Sequence, residues 1–161
     1  MASTGTEAIR ELSTEELGAW RGLLRVHSAL VKALDAELLA QHALPLTSYE
    51  VLINLQAAPD RRRRMAELAD GVLLSRSGMT RLVDRLERDG LLERDACTSD
   101  GRGTFAVLTD KADELLSQAR RTHLDGVRER FLQHFSDEEL EQLAGLWNRV
   151  LPGAADLSRS D

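Results

Sequence analysis

Apolar residues recur at three- and four-residue intervals through the first quarter of the chain. This spacing predicts a long amphipathic helix over about 14–41. Ser13 followed by Glu16 is a capping-box pattern at its start, and Pro45 interrupts the periodicity beyond its end. The apolar positions are Leu17, Trp20, Leu23, Leu24, Leu30, Val31, Leu34, Leu38 and Leu39. They form a face wider than one small domain needs.

Three shorter helices are predicted next. The second begins at Thr47, which with Glu50 three residues later reads as another capping box, and the third spans about 65–71. A fourth helix is expected over 76–89, since Ser75 is a good N-cap and glycine at position 90 is a good C-terminal stop.

The periodicity then shortens. Segments 91–94 and 104–108 read as two strands, joined by a polar, glycine-containing turn over 96–103. Thr109 and Ser136 are suitable caps for two further helices, which end near residues 134 and 151. The predicted order is therefore one long helix, three short helices, a β-hairpin and two helices.

This order predicts a mainly α fold, a winged helix-turn-helix with a two-stranded β-wing and N- and C-terminal dimerisation helices. The expected division is a dimerisation helix at 13–46, a DNA-binding domain at 47–109 and C-terminal dimerisation helices at 110–155. The flanking helices have little to cover within one subunit, so we expect them to pack against a second copy of the chain.

Charge and composition narrow the class of protein. The net charge is −6, yet residues 61–88 contain eight basic and four acidic side chains. This distribution suits a basic face aimed at phosphates on an otherwise acidic protein. No apolar run approaches a membrane span, the N-terminus lacks a signal pattern, and the single cysteine cannot form an internal disulfide. We expect a cytoplasmic protein that contacts no membrane.

The fourth helix has the pattern of a recognition helix, the second helix of a helix-turn-helix pair, which enters the major groove. Its inward positions are Met79, Leu82, Val83 and Leu86. The candidate DNA contacts, short hydroxyls and arginines on its other face and at its start, are Ser75, Arg76, Ser77, Thr80, Arg81 and Arg85. An ordinary amphipathic helix with a charged solvent face is the alternative.

Two other basic segments are candidates for DNA contact. Arg102 lies at the predicted hairpin tip, where it is placed to enter a minor groove with Asp100 orienting its guanidinium. A plain polar turn is the alternative. The four arginines at 61–64 either contact phosphates at the edge of the site or form a solvated basic loop.

These segments together resemble the multiple antibiotic resistance regulator (MarR) family. The matching stretches are MAELAD (65–70), SGMTRLVDRLE (77–87), GLLER (90–94), DGR (100–102) and VLT (107–109). The resemblance implies a homodimer on a pseudo-palindromic operator, repression of nearby genes, and release by a small, often aromatic or phenolic, ligand. The family often has Asp-Pro where this chain has Asp95 and Ala96, so the base of the wing is expected to be looser.

A ligand site is expected between the helical and DNA-binding parts. Trp20, His27 and Tyr49 are the predicted contacts, because an aromatic ligand needs flat apolar walls and few polar groups. Trp20 is equally a candidate for the dimer core. His27 and His123 either meet in this pocket or are ordinary surface histidines. Cys97 is more simply an incidental thiol than a redox sensor, since its acidic neighbours disfavour a thiolate.

Other classes of function find little support. The sequence contains no phosphate loop, nucleophile elbow, metal-ligand spacing or paired nucleophile and base, so no enzyme, metal or cofactor is predicted. A winged helix used only for protein–protein contact is the remaining alternative. Steep salt dependence of duplex binding would distinguish a DNA reader from such a module.

Overall fold

The computed structural model describes residues 10–71, 76–96 and 104–155. It confirms a mainly helical fold with a small antiparallel sheet. The elements in chain order are α1 (Thr14–His42), α2 (Leu46–Gln56), β1 (Arg62–Arg64), α3 (Met65–Gly71), α4 (Arg76–Arg88), β2 (Leu92–Ala96), β3 (Thr104–Leu108), α5 (Asp110–Arg130) and α6 (Asp137–Val150). Short 3₁₀ turns, Pro59–Arg61 and Leu132–His134, precede β1 and α6. No helix in the described ranges is long and apolar enough to cross a membrane.

The capping box predicted at the start of α1 is present. The Ser13 hydroxyl accepts a hydrogen bond from the Glu16 N–H, and the Glu16 carboxylate accepts one from the Ser13 N–H. Only the C-terminal half of α1 is packed within the subunit, where Leu34 and Leu38 are buried against α5. The N-terminal half leaves its apolar side chains in solvent, among them Trp20 with 54% of its surface exposed.

The start of α2 differs from the sequence prediction. The helix begins at Leu46, its N-cap is Pro45, and no side-chain capping bond is present there. Thr47 lies inside the first turn, so the predicted Thr47–Glu50 capping box is wrong. Asp35 of α1 takes over the capping role, since its carboxylate accepts the Leu46 N–H at 2.8 Å. The cap therefore comes from a different helix, which local sequence patterns do not reveal.

Asp35→Ala is expected to lower the free energy of unfolding by about 0.5–2 kcal/mol, since it leaves the first N–H of α2 without its acceptor. Urea denaturation at fixed protein concentration measures the loss. Asp125→Ala is the matched control, because Asp125 makes only exposed ion pairs on α5 with Arg121 and Arg128, and such pairs contribute little. Equal losses in the two variants would contradict the capping role.

The sheet contains one strand more than the predicted hairpin. Its strand order is β1-β3-β2, all antiparallel, with Leu92 opposite Leu108 and Arg63 opposite Ala106. The hairpin strands are confirmed, but the prediction of a two-stranded wing missed β1. Three consecutive arginines offer no alternation of apolar and polar residues, so the sequence pattern predicts a loop here instead of a strand. The predicted tip with Asp100 and Arg102 lies outside the described residues.

The core joins the helix-turn-helix to the C-terminal half of α1. The predicted inward residues of α3 and α4 are confirmed as buried: Leu68, Met79, Leu82, Val83 and Leu86. They pack with α2, the sheet and the first half of α5. Gly126 permits the close approach of α5 to α1, since a Cβ there would lie 2.8 Å from the Leu34 Cδ2. This packing fixes the orientation of α4 relative to α1.

Candidate nucleic-acid interface

The outer face of α4 is polar and basic, as the sequence predicts. Ser77, Thr80, Arg81 and Arg85 are all exposed on it, opposite the buried leucines. Arg76 opens the helix, while Ser75 lies outside the described residues. Short hydroxyl side chains near the start of the helix and arginines further along match the groups that read base edges and phosphates.

The C-terminal end of α4 is held by α5. Gly90 has a positive φ of 70° and the following N–H, that of Leu91, donates to the Leu86 carbonyl at 2.8 Å, which closes the helix. Lys111 Nζ donates to the Asp89 carbonyl at 2.7 Å, and Thr109 Oγ1 donates to the Gly90 carbonyl at 2.8 Å. The sequence indicated the glycine stop but not these bonds from the start of α5.

Arg94 of β2 pairs with both acidic side chains of α4 and offsets part of their negative charge. Its guanidinium pairs with Asp84 and Glu87, which are three residues apart and share one helical face. The hydrogen bond to Asp84 raises the pKa of Arg94 further, so this arginine remains charged. Sequence reasoning missed this contact, although the spacing of the two acids indicates a partner on one side of the helix.

Most of the arginines before α3 have partners within the chain. Arg61 pairs with Asp110 at 3.2 Å, and Arg62 pairs with Asp95 at 3.7 Å. The Arg62 and Arg64 guanidinium carbons lie 4.1 and 5.4 Å from the centre of the Phe105 ring. These contacts tie β1 to both hairpin strands and hold the base of the wing at Asp95. Phosphate contact by these arginines remains a prediction.

A cavity of about 590 Å³ lies between α1 and α2. Its walls combine apolar side chains with charged ones: His27, Ser28, Val31, Lys32, Asp35, Leu46, Thr47 and Glu50. Burial raises the pKa of Glu50, while nearby His27 opposes that shift. Because Asp35 is committed to capping α2, the polar groups left for a ligand include His27, Lys32 and Glu50.

The three predicted ligand contacts do not all line the α1–α2 cavity. His27 lines the α1–α2 cavity, but its lining does not include Tyr49 or Trp20. Tyr49 is buried, and its ring packs 4.7 Å from that of His123, so His123 meets Tyr49 rather than His27. Trp20 lies on the exposed side of α1.

An apolar surface includes the N-terminal half of α1 and the C-terminal half of α6, and we call it the terminal apolar face. Its exposed members are Trp20, Leu23, Leu24, Val26, Leu146, Trp147 and Val150. A second cavity of about 320 Å³ opens on it, with Phe131 and Phe135 in its wall. No residue of α6 is buried within the subunit. A continuous apolar surface of this kind marks an interaction site.

Burial lowers the pKa of His123 below its ordinary value. Its Nδ1 is buried and has no hydrogen-bond partner among the described residues, so the folded state favours the neutral ring. The unfolded chain binds a proton near pH 6.5, where the folded chain does not. Stability should therefore be complete above about pH 6.5 and decline as the pH falls below it.

His123→Gln is expected to reduce this acid sensitivity. The difference in melting temperature between pH 7.5 and pH 5.5 should be smaller in the variant than in the original chain, because one proton-linked step is removed. Tyr49 packs against this ring, and burial raises the pKa of Tyr49, away from that range. An unchanged difference would show that other groups cause the acid loss.

Metal chemistry finds no support in the described ranges, which contain no group of three or more histidine, cysteine or carboxylate side chains placed to bind an ion. The described part of the chain therefore offers a basic face on α4, a cavity between α1 and α2 and a separate apolar face.

Comparisons with known proteins agree with this arrangement. A family model described as "MarR family" matches residues 43–103. The structure of Sco3205, a MarR family transcriptional regulator from Streptomyces coelicolor in complex with DNA, is 34% identical, with a TM-score of 0.85 over 90% of this chain and 91% of that one. AbsC, another MarR family regulator from the same organism, is 32% identical, with a TM-score of 0.82 over 95% of this chain and 100% of that one.

A more distant structure shares the fold. The organohalide-sensing regulator RdhR-CbdbA1625, in its 2,4-dichlorophenol-bound form, is 18% identical, with a TM-score of 0.75 over 97% of this chain and 92% of that one.

Proposed function

The chain belongs to the MarR family of transcriptional regulators, and from this premise we propose that it represses its target genes by binding a duplex operator as a homodimer. The observation that carries the proposal is the exposed basic face of α4, which is anchored at its C-terminal end and whose two acidic side chains are both paired with Arg94. A rigid, cationic helix face is what reading a major groove requires.

The proposed DNA contacts fall into two groups. On and before α4 they are Ser75, Arg76, Ser77, Thr80, Arg81 and Arg85, with the hydroxyls near the helix start directed at base edges. On the wing they are Arg102, in the minor groove, and Asp100, which orients it. The pairing of Arg94 with Asp84 and Glu87 supports the first group, because it offsets part of their negative charge and lowers the repulsion between α4 and phosphates.

Dimerisation through the terminal apolar face supplies the second recognition helix. The face is exposed in the single chain and includes two tryptophans, which favours burial against an identical surface related by a two-fold axis. Two recognition helices so related fit a pseudo-palindromic operator whose half-sites are about 34–36 Å apart. Residues 13–46 and 110–155 would then form the dimerisation region around the DNA-binding domain at 47–109.

We propose that a small, aromatic or phenolic ligand in the α1–α2 cavity relieves repression. The cavity volume falls in the range of small-molecule sites, and its walls offer apolar contact with a few polar groups. The ligand would act by favouring a state in which the two recognition helices no longer match the half-site spacing. RdhR-CbdbA1625, which shares the fold, holds 2,4-dichlorophenol.

Because a transcriptional regulator acts on the chromosome, we propose that the protein lies in the cytoplasm and has no catalytic activity. The observation in support is the family itself, since Sco3205 and AbsC, both more than 30% identical to this chain, are transcriptional regulators.

Selection from a random duplex library with the full-length protein tests the DNA-binding proposal. We expect enrichment of a two-fold symmetric motif whose affinity falls steeply between low and moderate salt, because phosphate contacts release counterions. Addition of 2,4-dichlorophenol to the same assay then tests the ligand site, with Glu50→Ala as the variant expected to lose any response. Failure to enrich any duplex would reject the regulator function and favour a winged helix that binds proteins.

A further inference from the structure

Ser48 is the one polar side chain that is fully buried among the residues that the structure describes. It lies in the first turn of α2, and its hydroxyl oxygen accepts a hydrogen bond from Arg85 Nη2 at 3.0 Å. Buried hydroxyls require a partner, and this one receives an arginine from the outer face of the recognition helix. The bond therefore connects the protein interior to a candidate DNA contact.

Arg85 also borders an open recess between α2 and α4. The recess has a volume of about 210 Å³ and is lined by Thr47, Gly78, Arg81, Leu82 and Arg85. Arg81 and Arg85 are one helical turn apart, so their side chains project from the same face. Two arginines and a threonine around one recess can supply hydrogen-bond donors and positive charge for a single oxyanion.

The position of Arg85 along α4 favours a phosphate over a base. Arg85 is nine residues after Arg76, which places it about 13 Å along the helix axis from the helix start. Base edges are read by the N-terminal residues of a recognition helix. Its guanidinium is also held toward α2 by the hydrogen bond to Ser48.

We infer that Ser48 is a positioning residue, which fixes the Arg85 guanidinium at this recess so that Arg81 and Arg85 together receive one backbone phosphate of the bound duplex. The inference rests on the proposed DNA-binding function and adds a phosphodiester subsite to it. The bond to Ser48 uses one of several N–H donors of Arg85, and the others remain available to the phosphate. Preorganisation of this kind reduces the conformational entropy lost on binding.

A double-mutant cycle tests whether Ser48 acts through Arg85. The duplex is one enriched by the full-length protein, and its affinity is measured for the original chain, Ser48→Ala, Arg85→Ala and the double variant. We expect Ser48→Ala alone to weaken binding roughly threefold to tenfold and Arg85→Ala to weaken it on the order of tenfold or more. In the Arg85→Ala background, Ser48→Ala should have no further effect.

Ser117→Ala is the matched control, because Ser117 is exposed on α5 and donates only to the Glu114 carbonyl. It should leave affinity unchanged. An equal effect of Ser48→Ala in both backgrounds, or a fall in melting temperature that accounts for the weaker binding, would show that Ser48 acts through the fold and would overturn the inference.

Salt dependence and a modified duplex identify the group that Arg85 contacts. Loss of one phosphate contact should reduce the slope of log affinity against log salt by about 0.9, with equal losses on altered operator sequences. A scan with single neutral methylphosphonates should find a position that weakens the original chain but not Arg85→Ala. Loss of sequence discrimination with an unchanged slope would make Arg85 a base contact instead.

These outcomes separate the two proposals. A chain that enriches no duplex rejects the proposed function, and the subsite with it. A chain that binds a selected duplex tightly, but shows additive effects of the two substitutions, rejects only the positioning role of Ser48.

Discussion

Arg81→Ala is expected to weaken binding to a selected operator by about 1–3 kcal/mol, which corresponds to a roughly 5- to 150-fold loss of affinity. Arg81 is exposed on α4 and forms no ion pair with any other described residue. Arg81 lies five residues after the start of α4, so it is closer than Arg85 to the N-terminal end of the helix. That end is the one expected to reach base edges in the major groove. The Arg81 guanidinium has several N–H donors, so it can contact the phosphate that it shares with Arg85 and a guanine edge at the same time.

Fluorescence anisotropy with the operator and with variants of each base pair measures this effect. If Arg81 reads a guanine, Arg81→Ala should also reduce discrimination at one base pair of each half-site. Arg121→Ala is the control, since Arg121 is an exposed arginine of α5 whose partner is Asp125. Unchanged affinity and discrimination in Arg81→Ala would remove this residue from the interface.

The helix-turn-helix could be predicted from the sequence because its signals are local. The spacing of Met79, Leu82, Val83 and Leu86 alone determines which side of α4 faces the core, and the structure confirms it. The basic outer face follows from the same spacing. The helix caps at Ser13 and Ser136 could also be predicted, because each capping hydrogen bond joins residues three positions apart in the sequence.

Contacts between distant segments could not be predicted. Asp35 caps α2 from another helix, Arg94 reaches α4 from a strand, and β1 pairs with β3 across more than forty residues. Each depends on the tertiary arrangement, which places polar partners together without any local pattern. The prediction that Tyr49 contacts a ligand has the same limit. The sequence pattern does not show that the Tyr49 ring packs against His123 in the core.

The long first helix illustrates the limit of periodicity most clearly. The spacing of its apolar residues does not distinguish Leu38 from Leu39, since both fall on one broad apolar face. The structure distinguishes the two residues. The Leu38 side chain is fully buried against the rest of the subunit, whereas 43% of the Leu39 surface is exposed. The broad face therefore serves two surfaces: one closes the core of the subunit, and the other remains available to a partner.

Leu38→Ala is accordingly expected to lower the free energy of unfolding by about 2–5 kcal/mol, because it leaves a cavity in the contact between α1 and the core. Leu39→Ala removes the same atoms from a partly exposed position and should cost less than about 1 kcal/mol per subunit. Urea denaturation at several protein concentrations measures both losses.

The concentration series separates the two surfaces. A loss caused by Leu38→Ala should persist at every concentration, whereas any loss from Leu39→Ala through a weakened dimer should diminish as concentration rises. Equal, concentration-independent losses in the two variants would contradict the division of the face. If only Leu39→Ala shifts the monomer–dimer equilibrium, the second surface belongs to the dimer interface. Two adjacent residues of α1 then serve different contacts, one with the core of the subunit and one with the second subunit.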